Sequence, residues 1–412
     1  MHLSSPPSSK RILFVTYGGG HAQMVLPVVK WLRRFTSVDV RVLALTTAAS
    51  IFENADEPYL GFKDFLHGSD KTALARGEEL LQGNLSNDVA REESVAYLGL
   101  SYLDLEQQIG AAGAKAAYLR FGRQAFRQTG VLSRIISDLA PDIVVATNSP
   151  RAERAAIQVA GSLKIPSVCM VDLFAMDEVA WIGQPGYATK VCVLNQVVAD
   201  RLLAFGRSPT EICVTGNPAF DQLCNPKLGT LGKALRDAQG WTNAQVVLWA
   251  AQPEPTEHPS VLGRTGDPTL PGRIQDALEL WALKAPGRIL VERPHPSQVK
   301  QAKSEHSNIL RNGRDFDLPA LLHSLDGVVT MNSTVGLQAY LAGKPVIQVL
   351  GSLFDDSMPL AKYGFALACV DPDELPLLIP DWLARSHLAP SVDTFSEVGA
   401  AERVSRVILS LD

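Results

Sequence analysis

Little in this chain commits it to metal, disulfide or membrane chemistry. Only five cysteines occur in 412 residues: Cys169, Cys192, Cys213, Cys224 and Cys369. They are scattered, with no CxxC pair and no even framework, which fits a reducing compartment and offers no zinc signature. The other histidines, His2, His67, His258, His306, His323 and His387, have no partner at metal-ligand spacing. No stretch reaches the ~18 apolar residues of a spanning helix. The apolar run after Lys10 and Arg11 is broken by Gly18, Gly19, Gly20 and His21 and has no small-residue cleavage site, so it does not read as a signal peptide. A dominant charge is missing too. The 38 basic and 43 acidic residues leave a formal net charge of −5, which argues against a nucleic-acid surface. There is no GxSxG elbow, no HExxH and no Walker lysine. The expectation is a soluble cytoplasmic protein without a resident cofactor or metal.

What is present is an α/β rhythm. With 46% hydrophobic residues, the chain is long enough for two to three domains. Short β-branched runs at 11–16, 38–45, 142–147, 166–172, 190–194 and 211–215 alternate with helical stretches, as in a parallel sheet covered on both faces. Residues 60–130, rich in Ala, Glu, Gln, Leu and Arg, read as a helical insertion of two or three helices. The pattern loosens between 216 and 240. A second series of strands then follows at 245–251, 288–292, 327–331, 345–350 and 365–370. Residues 1–9 read as a frayed tail, and residues 381–411 as helix able to pack back across either half. The expected architecture is two Rossmann-like domains facing across a cleft, 1–222 and 223–412.

The chemistry-bearing motifs fall where strands pass into helices. Gly18, Gly19, Gly20 and His21 lie between a strand and a helix. Glycines let the backbone approach a ligand, and the helix amino terminus offers free N–H groups. This is not the GxGxxG dinucleotide fingerprint, because the third glycine is absent. His21 can take a proton near neutrality, or it can simply cap the helix. Asp172, ending the 166–172 strand, is a second candidate base, with an N-cap as its ordinary alternative. In the second half, Arg293 and His295 are held in a Pro-stiffened loop after a strand, suited to a phosphate. Ser333, Thr334 and Gly336 form a polar turn entering a helix, either as caps or as a phosphate cradle. Gln252 ends the first strand of that half. Asp355 and Asp356 follow the 345–350 strand, where they can bond sugar hydroxyls.

These residues bring a family into view. RILFVTYGGGHAQMVLPVVKWL resembles the first strand and glycine loop of GT-B glycosyltransferases, notably the lipid-linked N-acetylglucosaminyltransferases of cell-wall synthesis. ICVTGNPAFDQL is similar to the hinge entry of those enzymes and of UDP-N-acetylglucosamine 2-epimerases. The RPHP loop and MNSTVGLQAYLAGKPVI resemble donor-half motifs of bacterial capsule and lipopolysaccharide glycosyltransferases. The resemblance implies that His295, Ser333 and Thr334 bind the phosphate of a nucleotide-sugar donor. It places Gly18 to His21 by the acceptor or the transferred sugar. The carboxylate that often binds the donor ribose is here Gln338, and the GTRPE-like start of the epimerases is absent. The implied activity is metal-independent transfer to a glycan or lipid-linked acceptor in surface polysaccharide synthesis, with peripheral contact at the inner membrane where that acceptor is membrane-borne. In an inverting reaction His21 or Asp172 would serve as base. Arg293, His295 and the helix start at Ser333 would neutralise the leaving phosphate. The competing readings are a nucleotide-sugar epimerase or hydrolase on the same fold, and a non-catalytic sugar-nucleotide binding protein.

Overall fold

The computed structural model describes residues 9–82, 89–225, 227–259, 261, 263–298, 302–385 and 399–411. It divides into two compact units, 1–219 with 398–412, and 220–397. Each is built on a six-stranded, wholly parallel sheet. The first contains β1 (Arg11–Tyr17), β2 (Asp39–Leu45), β3 (Ile143–Thr147), β4 (Ser167–Met170), β5 (Lys190–Val193) and β6 (Ile212–Val214), in the order β2-β1-β3-β4-β5-β6. The second contains β7 (Gln245–Ala250), β8 (Arg288–Arg293), β9 (Ile309–Leu310), β10 (Gly327–Thr330), β11 (Val346–Val349) and β12 (Leu367–Cys369), in the order β12-β11-β10-β7-β8-β9. In both sheets the chain starts in the middle, runs to one edge and returns to build the other. The direction of building reverses between β1 and β3 and again between β7 and β10. In open α/β sheets ligands bind just beyond the carboxyl ends of the strands at such a reversal.

The strands form where apolar, β-branched runs can be buried on both faces. Ile12, Phe14, Val145 and Met170 meet Val25, Val28 and Leu32 of the helix Gly19–Phe35 in one core. Trp249, Leu290, Val329 and Ile347 meet Ile274 and Trp281 of the helix Leu270–Leu283 in the other. The final helix, Ala400–Leu409, places Val404 and Ile408 in the first unit's core, and Arg403 donates to the Thr215 carbonyl at 2.8 Å. The last fifteen residues therefore count with the first unit, and the division falls at 219/220, against the expected 222/223. The apolar face of that helix needs a core, and the first unit supplies it. Of the stretch 381–411, residues 386–398 lie outside the described residues, as do residues 1–8 of the expected tail.

Two elements depart from the sequence reading. The stretch read as loosened holds the helix Lys227–Gln239, despite its glycines. Gly232 is needed there: a Cβ would stand 2.6 Å from the His323 carbonyl carbon, so the glycine lets this helix lie against Leu318–Ser324. The two-residue edge strand β9 is too short to leave a periodic signal. In the insertion, Lys71–Leu81 and Arg91–Phe121 are helices, the latter kinked at Gly110 (φ +75°). Residues 83–88 lie outside the described residues. Among the described residues no helix is long and apolar enough to cross a membrane.

Candidate functional site

In the first unit the polar groups converge where β1, β3 and β4 end. Beyond Tyr17, Gly18 takes φ +82°, ψ 156°, a region essentially reserved for glycine. The helix starts at once, at Gly19, so that Gly19, Gly20 and His21 belong to it, and its first bond runs from Ala22 N–H to the Gly18 carbonyl at 3.2 Å. Gly19, Gly20 and His21 therefore occupy the first turn, where N–H groups have no helical acceptor. A Cβ built on Gly18, Gly19 or Gly20 would meet nothing within 4 Å, so the loop faces open space. His21 is half-buried, with Nδ1 fully buried.

Asp172 follows β4 and forms a reciprocal pair with Asn148, which follows β3. Asn148 Nδ2 donates to Asp172 Oδ1 at 3.1 Å, and the Asp172 N–H donates to Asn148 Oδ1 at 3.1 Å. The Leu173 N–H also donates to Oδ1, at 2.7 Å. Asp172 thus caps no helix, and its Oδ2 makes no hydrogen bond among the described residues. Glu178 joins the cluster. Burial raises its pKa, and the nearby Asp172 and Asp177 push the same way while His21 opposes them.

Sequence reasoning missed Glu153, in the first turn of the helix Ala152–Ser162. It is 0% exposed, and its Oε1 accepts the Tyr17 N–H at 2.6 Å. Burial pushes its carboxyl up, and His21 is the strongest influence drawing it back. A polar residue early in a helix ordinarily reads as a solvated group near the dipole, so its burial leaves no trace in local sequence. Beside Tyr17 a cavity of 160 Å³ is lined by Tyr17, Thr46, Thr47, Glu93, Ser94 and Tyr97 among others. Thr46 sits there at φ +56°, a strained backbone for a β-branched residue and of the kind that collects at binding sites.

In the second unit the loops after β7, β10 and β11 are tied together. Ser352 donates to Glu254 Oε2 at 2.7 Å and accepts from Asn332 Nδ2 at 2.6 Å; the Leu353 N–H donates to Glu254 Oε1 at 2.7 Å. Glu254 and Ser352, both buried, escaped the sequence reading because their bond joins positions 98 residues apart. Gln252, half-buried beside this knot, makes no side-chain hydrogen bond among the described residues.

The loop after β8 is equally fixed. The His295 N–H donates to Gln298 Oε1 at 2.8 Å, and the Gln298 N–H donates to the His295 carbonyl at 2.9 Å. His295 Nδ1 accepts the Ser297 N–H at 3.2 Å and lies 2.7 Å from Ser297 Oγ. An Nδ1 that accepts leaves the ring proton on Nε2, so the neutral ring presents Nε2–H as a donor. Arg293 is placed differently from the expectation. Its Nη1 donates to the Gly313 carbonyl at 2.6 Å, and burial, with Arg314 nearby, lowers its pKa. It anchors the loop. Next to that loop a cavity of 530 Å³ is lined by Pro294, Lys303, His306, Arg311, Asn312 and Arg314 among others. That volume is in the usual range for a small-molecule site.

Other expected ligand contacts are engaged within the protein. Ser333 is the N-cap of Thr334–Leu341, its Oγ accepting the Val335 N–H at 3.2 Å. Thr334 is exposed at the first helical position. Gly336 is a packing glycine: a Cβ would stand 2.7 Å from Thr330 Cγ2 and 2.9 Å from Leu360 Cδ1. Gln338 is half-buried a turn further along the helix. Asp355 turns its Oδ2 back to the Gly351 N–H at 2.7 Å, and Asp356 pairs with Arg264 at 3.3 Å. Asp355 thus bonds within its own loop, and Asp356 pairs with a residue 92 positions away. Among the described residues no group of three or more His, Cys, Asp or Glu is placed to hold a metal ion. Since the Ser333 hydroxyl belongs to the helix, Ser333→Ala is expected to destabilise the fold by about 0.5–2 kcal/mol, read in denaturant unfolding.

Two Rossmann-like parallel-sheet units in one chain define the GT-B fold, and the comparisons agree. The UDP-GlcNAc 2-epimerase of Neisseria meningitidis, solved with UDP-GlcNAc, superposes with a TM-score of 0.60 at 13% identity, over 97% of this chain and 99% of that one. A putative UDP-N-acetylglucosamine 2-epimerase of Listeria monocytogenes gives 0.58 at 15% identity, over 98% and 96%. HepE of Anabaena, solved with UDP and glucose, gives 0.51 at 16% identity, over 98% and 100%. Residues 293–356 match the family model described as capsule polysaccharide biosynthesis protein. That span runs from Arg293 through Ser333 to Asp356. A search of curated protein sequences returns no match.

Proposed function

We propose that this chain is a glycosyltransferase that moves a sugar from a nucleotide-activated donor to a glycan or lipid-linked acceptor in surface polysaccharide synthesis. The observation that carries this reading is the complementary chemistry at the two strand-end clusters. The first unit gathers a histidine and carboxylates suited to accepting a proton. The second presents a fixed imidazole N–H and a cationic cavity suited to a diphosphate. Such an enzyme works by positioning and by stabilising the leaving phosphate electrostatically. His295 Nε2–H and the helix start at Thr334 would hold that phosphate, and His21 or Asp172 would deprotonate the acceptor hydroxyl. The match to the capsule polysaccharide family over 293–356 supports the reading from the donor half.

The epimerase neighbours favour a second reading, UDP-sugar epimerisation. Product analysis separates the two. With a panel of UDP-, CMP- and GDP-sugars, transfer consumes donor only when acceptor is present. Epimerisation or hydrolysis proceeds without acceptor, and either result would replace transfer as the function. Because protein donors already suit the phosphate, turnover is expected to survive EDTA. Activity lost to chelation and restored by Mg²⁺ or Mn²⁺ would count against the role of His295.

A further inference from the structure

Three polar atoms beneath the glycine loop are fully buried and make no hydrogen bond among the described residues: Thr16 Oγ1, His21 Nδ1 and Glu153 Oε2. They share one side of the sheet. Thr16 and Thr147 lie one step beyond the Val15–Ala146 pair and stand side by side, on the face that carries Phe14 and Val145. Thr147 Oγ1 reaches Glu153 Oε1 at 3.4 Å. His21 precedes Val25 by one helical turn, and Val25 packs on that same face. Buried polar atoms in folded proteins are nearly always satisfied, so three orphans in one place need a reason.

Glu153 is the costly member. A carboxyl with no exposed surface is unfavourable unless it is paired. Clamping the Tyr17 N–H uses Oε1 alone and leaves Oε2 unexplained. Apart from burial, His21 is the largest influence on this carboxyl; the Tyr17 N–H and Ser149 act in the same direction. Glu178 also feels His21, with Asp172 and Asp177 beside it. Arg151, next in line, is occupied with the Tyr17 hydroxyl at 2.5 Å.

We propose that Glu153 is the positioning residue of His21, its Oε2 accepting the imidazole Nδ1–H directly or through one water. The inference rests on the reading of His21 as the base. Holding the proton on Nδ1 leaves Nε2 as the basic nitrogen. The acceptor's O–H proton then passes to Nε2, Nδ1 keeps its own, and the imidazolium forms beside a buried carboxylate. That attraction is strongest once the imidazolium exists, so it lowers the barrier more than it tightens binding.

The test is the tautomer of His21 in the full chain, read from long-range ¹H–¹⁵N correlation spectra at mildly alkaline pH, with His21 assigned by its loss in His21→Ala. Wild type is expected to show neutral His21 protonated on Nδ1. In Glu153→Gln the amide can donate to Nδ1, and the proton is expected to move to Nε2. In transfer assays Glu153→Gln should lower kcat by about 10²-fold or more with the donor KM unchanged, and Glu153→Asp should restore part of it. A wild-type proton on Nε2, or the same tautomer in both proteins, would overturn the proposal, and the wild-type spectrum does so without depending on how the variant folds. The base reading fails separately, if His21→Ala transfers at the wild-type rate.

Discussion

His21→Ala is expected to slow sugar transfer by about 10²–10⁴-fold, the usual worth of a general base. That is about 2.7–5.5 kcal/mol of barrier. His21 stands in the first turn of Gly19–Phe35, behind three glycines that face open space. Nucleotide affinity should barely move, because the groups proposed to hold the phosphate, His295 and the helix start at Thr334, belong to the other unit. The check is single-turnover transfer beside a nucleotide titration, on a variant with wild-type circular dichroism. Wild-type transfer would remove His21 from the mechanism and pass the base role to Asp172, whose Oδ1 is fixed by Asn148 and Leu173. Loss of nucleotide binding instead would mean that the glycine loop serves the donor phosphate.

How much was legible in the sequence follows from how local each cause is. Strand β1, the glycine turn and the helix behind it are written in the consecutive residues Arg11–Phe35, because apolar runs and glycine conformations act over short range. The RPHP turn is local in the same way: its prolines and the Gln298 return bond fix it from within. Glu153 and Glu254 were illegible for the opposite reason. Each is tied to a residue far along the chain, Tyr17 at 136 positions in one case and Ser352 at 98 in the other. Ser333 shows a third situation. Its motif was visible, but a serine entering a helix suits a cap and a phosphate equally well. The Val335 N–H shows the cap, and the capping hydroxyl keeps its own O–H as a donor. Gly336 likewise looks like a ligand-facing glycine until Thr330 and Leu360 are seen to occupy the space of its missing side chain.

The second large effect is expected in the donor half. His295→Ala should weaken nucleotide binding by roughly 1.5–3 kcal/mol, the loss of one hydrogen bond to a charged group. That corresponds to about 10- to 150-fold in Kd. Pro294 and Pro296 stiffen the backbone, Gln298 closes it from both sides, and Ser297 holds Nδ1 as an acceptor. Only Nε2–H is left to meet a phosphate oxygen, and it is aimed without further loss of freedom. Calorimetric titration with UDP, CMP and GDP measures the effect on a folded variant. Ser297→Ala provides the companion measurement. It removes the hydroxyl but keeps the N–H that holds Nδ1, so it should cost only a few-fold by the same fold-change arithmetic. Equal affinity in wild type and His295→Ala would place the phosphate elsewhere, and the cavity wall that carries Lys303 and Arg314 would then be the place to look.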